Sequence, residues 1–218
     1  MFTSRTQPSE GVGWSGVAMR VNTFMHTFGR LDVYGLENIP KCGCLIASNH
    51  VSFIDPPLIG SSIPKEMFFL ARKTLNDNPI LGRVLPHCNV IPVDRDGGSD
   101  VAAFKKMFKV LREGHSILLF PEGTRSKDGK FGKAQGGAGL IACKARVPVV
   151  PVRLFGTNEV LQRGTFLPKR AELKVCFGKP MYPEEFDPGK DFPDRFREAS
   201  RRFMARIAEM EEPGAPKY

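Results

Sequence analysis

The chain has 218 residues, enough for one domain with a substantial core, and its 41% hydrophobic and 25% charged content is that of an ordinary globular protein. Its 32 Lys and Arg against 23 Asp and Glu give a formal charge of +9. That excess reads as a solvated surface, or as one suited to an anionic membrane, a phosphate substrate or nucleic acid. Specific nucleic-acid binding has no sequence support: there is no zinc-finger spacing and no aromatic-basic ribonucleoprotein signature. Five cysteines without a paired framework argue against a disulfide-stapled secreted scaffold. Cys42 and Cys44 are too close for a normal disulfide. With Cys88, Cys143 and Cys176 they read as buried free thiols, and the setting as cytoplasmic.

In chain order, Met1 to Glu10 is polar and reads as loose. Gly11 to Phe28 is the longest apolar candidate, but Arg20, Asn22, Thr23 and His26 interrupt it, so it is no transmembrane span. It also lacks the basic start and compact apolar run of a signal peptide. Trp14, Ala18, Val21, Met25 and Phe28 instead make one stripe at helical spacing. Such a helix lies in a membrane interface or packs on its own domain.

Leu31 to Ile39 reads as a first strand and lead-in. Strands are then expected at 43–48, 66–71, 89–93, 116–120, 148–154 and 171–177. Helices are expected at 55–61, 78–85, 98–113 and 137–145. This alternation predicts a single α/β domain with a central mixed sheet covered by helices. Pro180 to Asp194, rich in proline and acid, is expected to run over the surface. Phe192 to Met210 is expected to form a last amphipathic helix on Phe196, Ala199, Phe203 and Ile207. The organisation is therefore residues 1–30 as tail and membrane-associating helix, 31–210 as the globular domain and 211–218 as a disordered tail.

Chemistry concentrates at strand ends, where reacting groups gather in α/β proteins. After the apolar run Gly43 to Ala47 comes Ser48-Asn49-His50-Val51-Ser52-Phe53-Ile54-Asp55. Asp55-Pro56-Pro57 reads as a helix opening with Asp55 as the capping residue. A carboxylate holding one imidazole nitrogen leaves the other free to take a proton. No Gly-x-Ser-x-Gly accompanies the pair, so the simplest chemistry is a base acting on a hydroxyl of the substrate itself. Ser116 to Phe120 is a second buried strand, ending in Pro121-Glu122-Gly123-Thr124-Arg125-Ser126. Gly123 allows positive φ or close backbone approach, and Arg125 offers a planar fork for phosphate. The run Asn89 to Val93 leads to Arg95, a second candidate phosphate ligand. No Cys or His spacing suggests a metal site.

His50-x-x-x-x-Asp55, Arg95 after an apolar strand, Phe120 to Ser126 and Val147-Pro148-Val149-Val150-Pro151-Val152 resemble the four ordered blocks of the glycerolipid acyltransferase family. The chain is most similar to the PlsC-type 1-acyl-sn-glycerol-3-phosphate acyltransferases, from about Val33 to about Gly178. The resemblance implies that His50 deprotonates the free hydroxyl of lysophosphatidic acid and that Asp55 holds His50. It implies that Glu122, Gly123, Thr124 and Arg125 bind the acceptor, with Arg125 and Arg95 on its phosphate. Lys73, in another familiar stretch, joins the substrate-binding set. The block around Pro148 and Pro151 would form a wall beside the acyl chain. The donor would be acyl-CoA or acyl carrier protein as co-substrate, with no cofactor and no acyl-enzyme. Oxyanion donors would be backbone amides near His50 or Gly123. Membrane lipids would be partners, the protein lying peripherally on the cytoplasmic face. One departure is Lys130-Phe131-Gly132-Lys133, where related sequences often carry Phe-Lys two residues before a glycine-alanine helix start.

Other acceptors fit the same chemistry: another lysophospholipid, glycerol 3-phosphate or a lyso-ornithine lipid. A noncatalytic lipid-binding module is the alternative from another class. His115 reads as structural. Gly136-Gly137 suits a phosphate at a helix start or close helix packing. Lys105, Lys106, Lys109 and Arg112 form a basic face that is solvated or meets carrier protein, CoA phosphates or lipid headgroups.

Overall fold

The computed structural model describes residues 29–79, 81–85, 88–94, 100–126, 128–160 and 169–214. The expected amphipathic helix at 11–28 and Arg95 lie outside them. Seven strands, β1 (Leu31–Tyr34), β2 (Leu45–Ser48), β3 (Met67–Arg72), β4 (Val90–Val93), β5 (Ser116–Leu119), β6 (Val149–Phe155) and β7 (Leu173–Phe177), form one sheet in the order β1-β7-β6-β2-β5-β3-β4. β2 to β6 run parallel to one another, while β7 pairs antiparallel with β6 and parallel with β1. This is the expected α/β domain with a mixed sheet.

The helices are α1 (Asp55–Ser62), α2 (Leu81–Val84), α3 (Val101–Arg112), α4 (Gly136–Ala145), α5 (Thr157–Val160), α6 (Pro183–Phe186) and α7 (Arg195–Glu209). Successive strand side chains point to opposite faces. Leu45, Ala47, Ile117, Leu119 and Val149 therefore pack against α3, α4 and α7. Ile46, Leu118, Val150 and Val152 pack against Leu58 and Ile59 of α1. Both faces are covered, which is why these strands read as unbroken apolar runs rather than alternating ones. No helix among the described residues is long and apolar enough to cross a membrane.

Several expectations change. The first strand stops at Tyr34 because Gly35 turns the chain at φ +76° into a 3-10 turn at Leu36–Asn38. The surface run after Pro180 contains α6, whose Phe186 is fully buried against Phe203 of α7. α7 begins at Arg195 rather than Phe192, after Asp194 in the left-handed region. α5 carried no periodic signal in its four residues. The tail is held as far as Glu212 and Pro213, whose oxygens accept from Lys174 Nζ at 2.7 and 3.1 Å. Of the five thiols Cys44, Cys143 and Cys176 are buried, but Cys42 is exposed and Cys88 partly so. Cys42 sits in the turn before β2, where the chain is not yet covered by either helical layer.

Candidate active site

The carboxyl ends of the five parallel strands share one edge of the sheet. Register places Ala47 of β2 beside Leu119 of β5 and Ser48 beside Val152 of β6. The residues that follow β2 and β5 therefore meet at that edge. Asn49 fastens the start of the turn: its Oδ1 accepts the Leu154 amide at 2.9 Å and its Nδ2 donates to the Leu154 carbonyl at 3.3 Å.

His50 Nδ1 lies 2.8 Å from Asp55 Oδ2. The same oxygen accepts the amides of Val51 and Ser52 at 2.8 and 2.7 Å. Asp55 was expected to cap α1. It is instead the first helical residue, Ile54 taking the cap position, and its carboxylate folds back onto the turn that precedes it. An acceptor already taking two N–H groups favours a proton on Nδ1 of His50, leaving a lone pair on Nε2 that can take a proton. The Phe120 ring stacks on the imidazole with centroids 3.9 Å apart and planes inclined by 17°. The aspartate fixes the ring at one atom, and the phenyl group fixes its plane.

Glu122 was expected among the acceptor ligands. The structure buries it, at 3% exposure, with both oxygens committed to the protein. Oε1 accepts the His50 amide at 3.1 Å and Oε2 the Gly132 amide at 2.7 Å. Gly132 is needed for that approach, since a Cβ there would sit 2.8 Å from Oε2. Burial raises the Glu122 pKa, and the two amides work against that rise by favouring the anion. Gly123 adopts φ +68°, the positive value its position suggested. Its amide donates to the Phe120 carbonyl at 2.9 Å, and the Ser126 amide donates to the His50 carbonyl at 2.7 Å. The amides of His50, Val51, Ser52 and Gly123 thus all donate within the protein.

Arg125 stands over Phe53, its Cζ 3.3 Å from the ring centroid. The phenyl ring is 63% exposed and belongs to the His50–Asp55 turn, so the guanidinium is drawn to the mouth of the site. Thr124 is exposed on the same loop. Lys73 follows β3, two strands from β2, and pairs with the largely covered Asp100 at 3.2 Å and the half-exposed Asp94 at 4.0 Å. Asp100 also accepts the amides of Ala103 and Asp94, and these bonds with Lys73 hold its pKa down at about 2. The proline block is β6 itself, a buried strand between β2 and β7, with Pro151 beside Gly178. A polar cavity of about 510 Å³ adjoins Asn49, Val51 and Glu122 and extends to Phe131, Arg153 and Phe155. A second cleft of about 450 Å³, between α4 and the start of α7, touches none of the site residues.

The structure thus gathers His50, Asp55, Glu122, Gly123 and Arg125 at one strand edge. Reading the sequence missed the parts played by Phe120, Phe53, Asn49 and Gly132. Phe120 and Phe53 stand inside the motifs, but their roles depend on which strands are neighbours.

An imidazole held by a carboxylate at the carboxyl end of a parallel strand is an arrangement suited to taking a proton from a ligand at the edge of an α/β sheet. The chain belongs to the acyltransferase family, whose model, described as Acyltransferase, matches residues 30–154. It is 30% identical over 187 residues to the 1-acyl-sn-glycerol-3-phosphate acyltransferase of Bacillus subtilis, covering 84% of this chain and 89% of that protein. It is 34% identical over 167 residues to a chloroplastic 1-acyl-sn-glycerol-3-phosphate acyltransferase of Brassica napus, covering 75% of this chain but 48% of that protein. A chloroplastic relative from Arabidopsis thaliana is matched over 47% of its length, so the chain spans about half of each of these plant proteins. The crystal structure of the 1-acyl-sn-glycerophosphate (LPA) acyltransferase PlsC from Thermotoga maritima superimposes with a TM-score of 0.71 at 25% identity, covering 91% of this chain and 81% of that one.

Proposed function

We propose that this protein transfers a fatty acyl group from acyl-CoA or acyl carrier protein to the free hydroxyl of lysophosphatidic acid, forming phosphatidic acid. The observation that carries the reading is the Nδ1–Oδ2 bond of 2.8 Å between His50 and Asp55, which engages one ring nitrogen and leaves the proton-accepting role to Nε2. Nε2 takes the proton of the acceptor hydroxyl as its oxygen attacks the thioester carbonyl. The tetrahedral intermediate collapses with cleavage of the C–S bond, and the proton passes from Nε2 to the departing thiolate. Arg125 and Arg95 would hold the acceptor phosphate. Names of the similar proteins support the acceptor. The lipid substrate supports a peripheral position at the cytoplasmic face of a membrane.

The test is product identification. Oleoyl-CoA or oleoyl-acyl carrier protein is incubated with lysophosphatidic acid in vesicles, and the lipids are analysed by mass spectrometry. The reading expects phosphatidic acid carrying the donor's chain. A protein that binds the vesicles, acylates neither lysophosphatidic acid nor other lyso-acceptors and releases no thiol would be a lipid-binding module instead.

A further inference from the structure

The solvent face of α3 carries Lys105, Lys106, Lys109 and Arg112, all exposed and within one arc of the helix. The opposite face is used up in the core by Ala103, Met107, Val110 and Leu111. Among the described residues the stripe's one ion pair is Lys109–Glu113, at 3.8 Å between exposed side chains. The other strongly basic helix behaves differently. In α7, Arg197 pairs with Asp194, Arg201 and Arg202 with Glu198, and Arg206 with Glu185 and Glu209. One helix neutralises its own charge and the other presents it.

Folding does not account for that presentation. The helix dipole favours cations in the last turn, which covers Lys109 and Arg112 but not Lys105 and Lys106. Lys105 and Lys109 are a like-charged pair at four-residue spacing, which weakens a helix.

The direction of α3 identifies the partner. Its cap, Asp100, binds Lys73 at the end of β3 and the Asp94 amide at the end of β4, so the helix starts on the edge that holds His50. It then runs back along the sheet. At 1.5 Å per residue Lys105 lies about 8 Å below that start and Arg112 about 18 Å. A lipid surface laid against the site edge would leave Arg112 beyond the screening length of about 8 Å at physiological salt. An acidic helix of another protein, lying along the flank, meets all four cations.

We infer that the α3 stripe is the docking surface for an acidic, helical acyl-carrier protein, which delivers its thioester over the strand edge to His50. This rests on the acyl-transfer reading and names its donor. Docking of this kind acts mainly through association rate and depends on salt.

The test reverses the stripe: Lys105→Glu, Lys106→Glu, Lys109→Glu and Arg112→Glu together. KM is measured for palmitoyl-acyl carrier protein and for palmitoyl-CoA, with lysophosphatidic acid in vesicles. Binding of holo acyl carrier protein is titrated directly at low and high salt. The expected result is a KM for the carrier-bound donor raised roughly tenfold or more, with KM for palmitoyl-CoA and both kcat values within about twofold. Carrier affinity should fall by a similar factor, and added salt should weaken it in the wild type. The corresponding Gln variant should show a smaller change of the same kind at an unchanged melting temperature, which separates docking from misfolding. An unchanged KM for the carrier-bound donor would overturn the inference. So would an equal rise for both donors with loss of vesicle binding, which would give the stripe to lipid. Should the wild type turn over neither donor, acyl transfer itself fails. The titration then decides alone: no binding, or binding unaffected by charge reversal, overturns the docking surface.

Discussion

Glu122 holds the backbone of His50 from the loop after the neighbouring strand, its Oε1 accepting the His50 amide at 3.1 Å while its Oε2 takes Gly132. His50 is therefore braced twice, by Asp55 at its ring and by Glu122 at its main chain. This makes Glu122 a positioning residue. Glu122→Gln keeps the shape but replaces one acceptor oxygen with a donor, leaving one buried amide unpaired. It should lower kcat by roughly 10- to 100-fold with acceptor KM within about twofold, and cost about 1–3 kcal/mol of stability. Steady-state kinetics with lysophosphatidic acid as the varied substrate check this. A large rise in acceptor KM at normal kcat would return Glu122 to the substrate.

Asp55 is fully buried, and one oxygen accepts three N–H groups. In Asp55→Asn an oxygen at the Oδ2 position keeps the Val51, Ser52 and Nδ1 contacts but loses the negative charge that stabilises the protonated ring, while an –NH₂ there would set a donor against all three. Turnover should fall by about 10²–10⁴-fold in a protein whose circular dichroism is unchanged. A near-normal rate would take Asp55 out of the mechanism.

Phe53 is 63% exposed at the mouth of the site, under the Arg125 guanidinium. A cation–π contact of this kind contributes about 0.5–2 kcal/mol. Phe53→Ala should therefore raise acceptor KM by roughly 3- to 10-fold with little change in kcat, and Phe53→Tyr should restore it. If alanine and tyrosine behave alike, the ring does not position Arg125.

The start of α7 is stapled to the end of α6. Arg195 Nε donates to Asp187 Oδ1 at 2.7 Å, and the guanidinium holds the Asp187 pKa down at about 2, below the ordinary carboxylate range. The folded value lies below the unfolded one, so the stabilisation is complete above about pH 4 and is lost as pH falls through about 2. Arg195→Met should lower stability at pH 7 and reduce the loss between pH 4 and pH 2. Urea unfolding at several pH values measures both.

The fold was legible because a sheet covered on both faces writes its strands as continuous apolar runs, as at Leu45–Ser48 and Val149–Phe155. The pair His50 and Asp55 was legible because both lie in one turn. Their surroundings were not. Glu122 looks like a surface motif residue until β5 is known to lie beside β2, which puts its carboxylate against the His50 amide. The Phe120 stack has the same origin. Boundaries moved where single backbone geometries decide them, as at Gly35 and Asp194.

The central claim is that His50 is the base for attack by a substrate hydroxyl. The most direct measurement is acceptor-dependent thiol release from palmitoyl-acyl carrier protein and palmitoyl-CoA, with lysophosphatidic acid in vesicles, comparing wild type with His50→Ala. The account predicts release in the wild type and at least about a hundredfold loss in the variant, with vesicle binding retained. Release in the variant at the wild-type rate would contradict it.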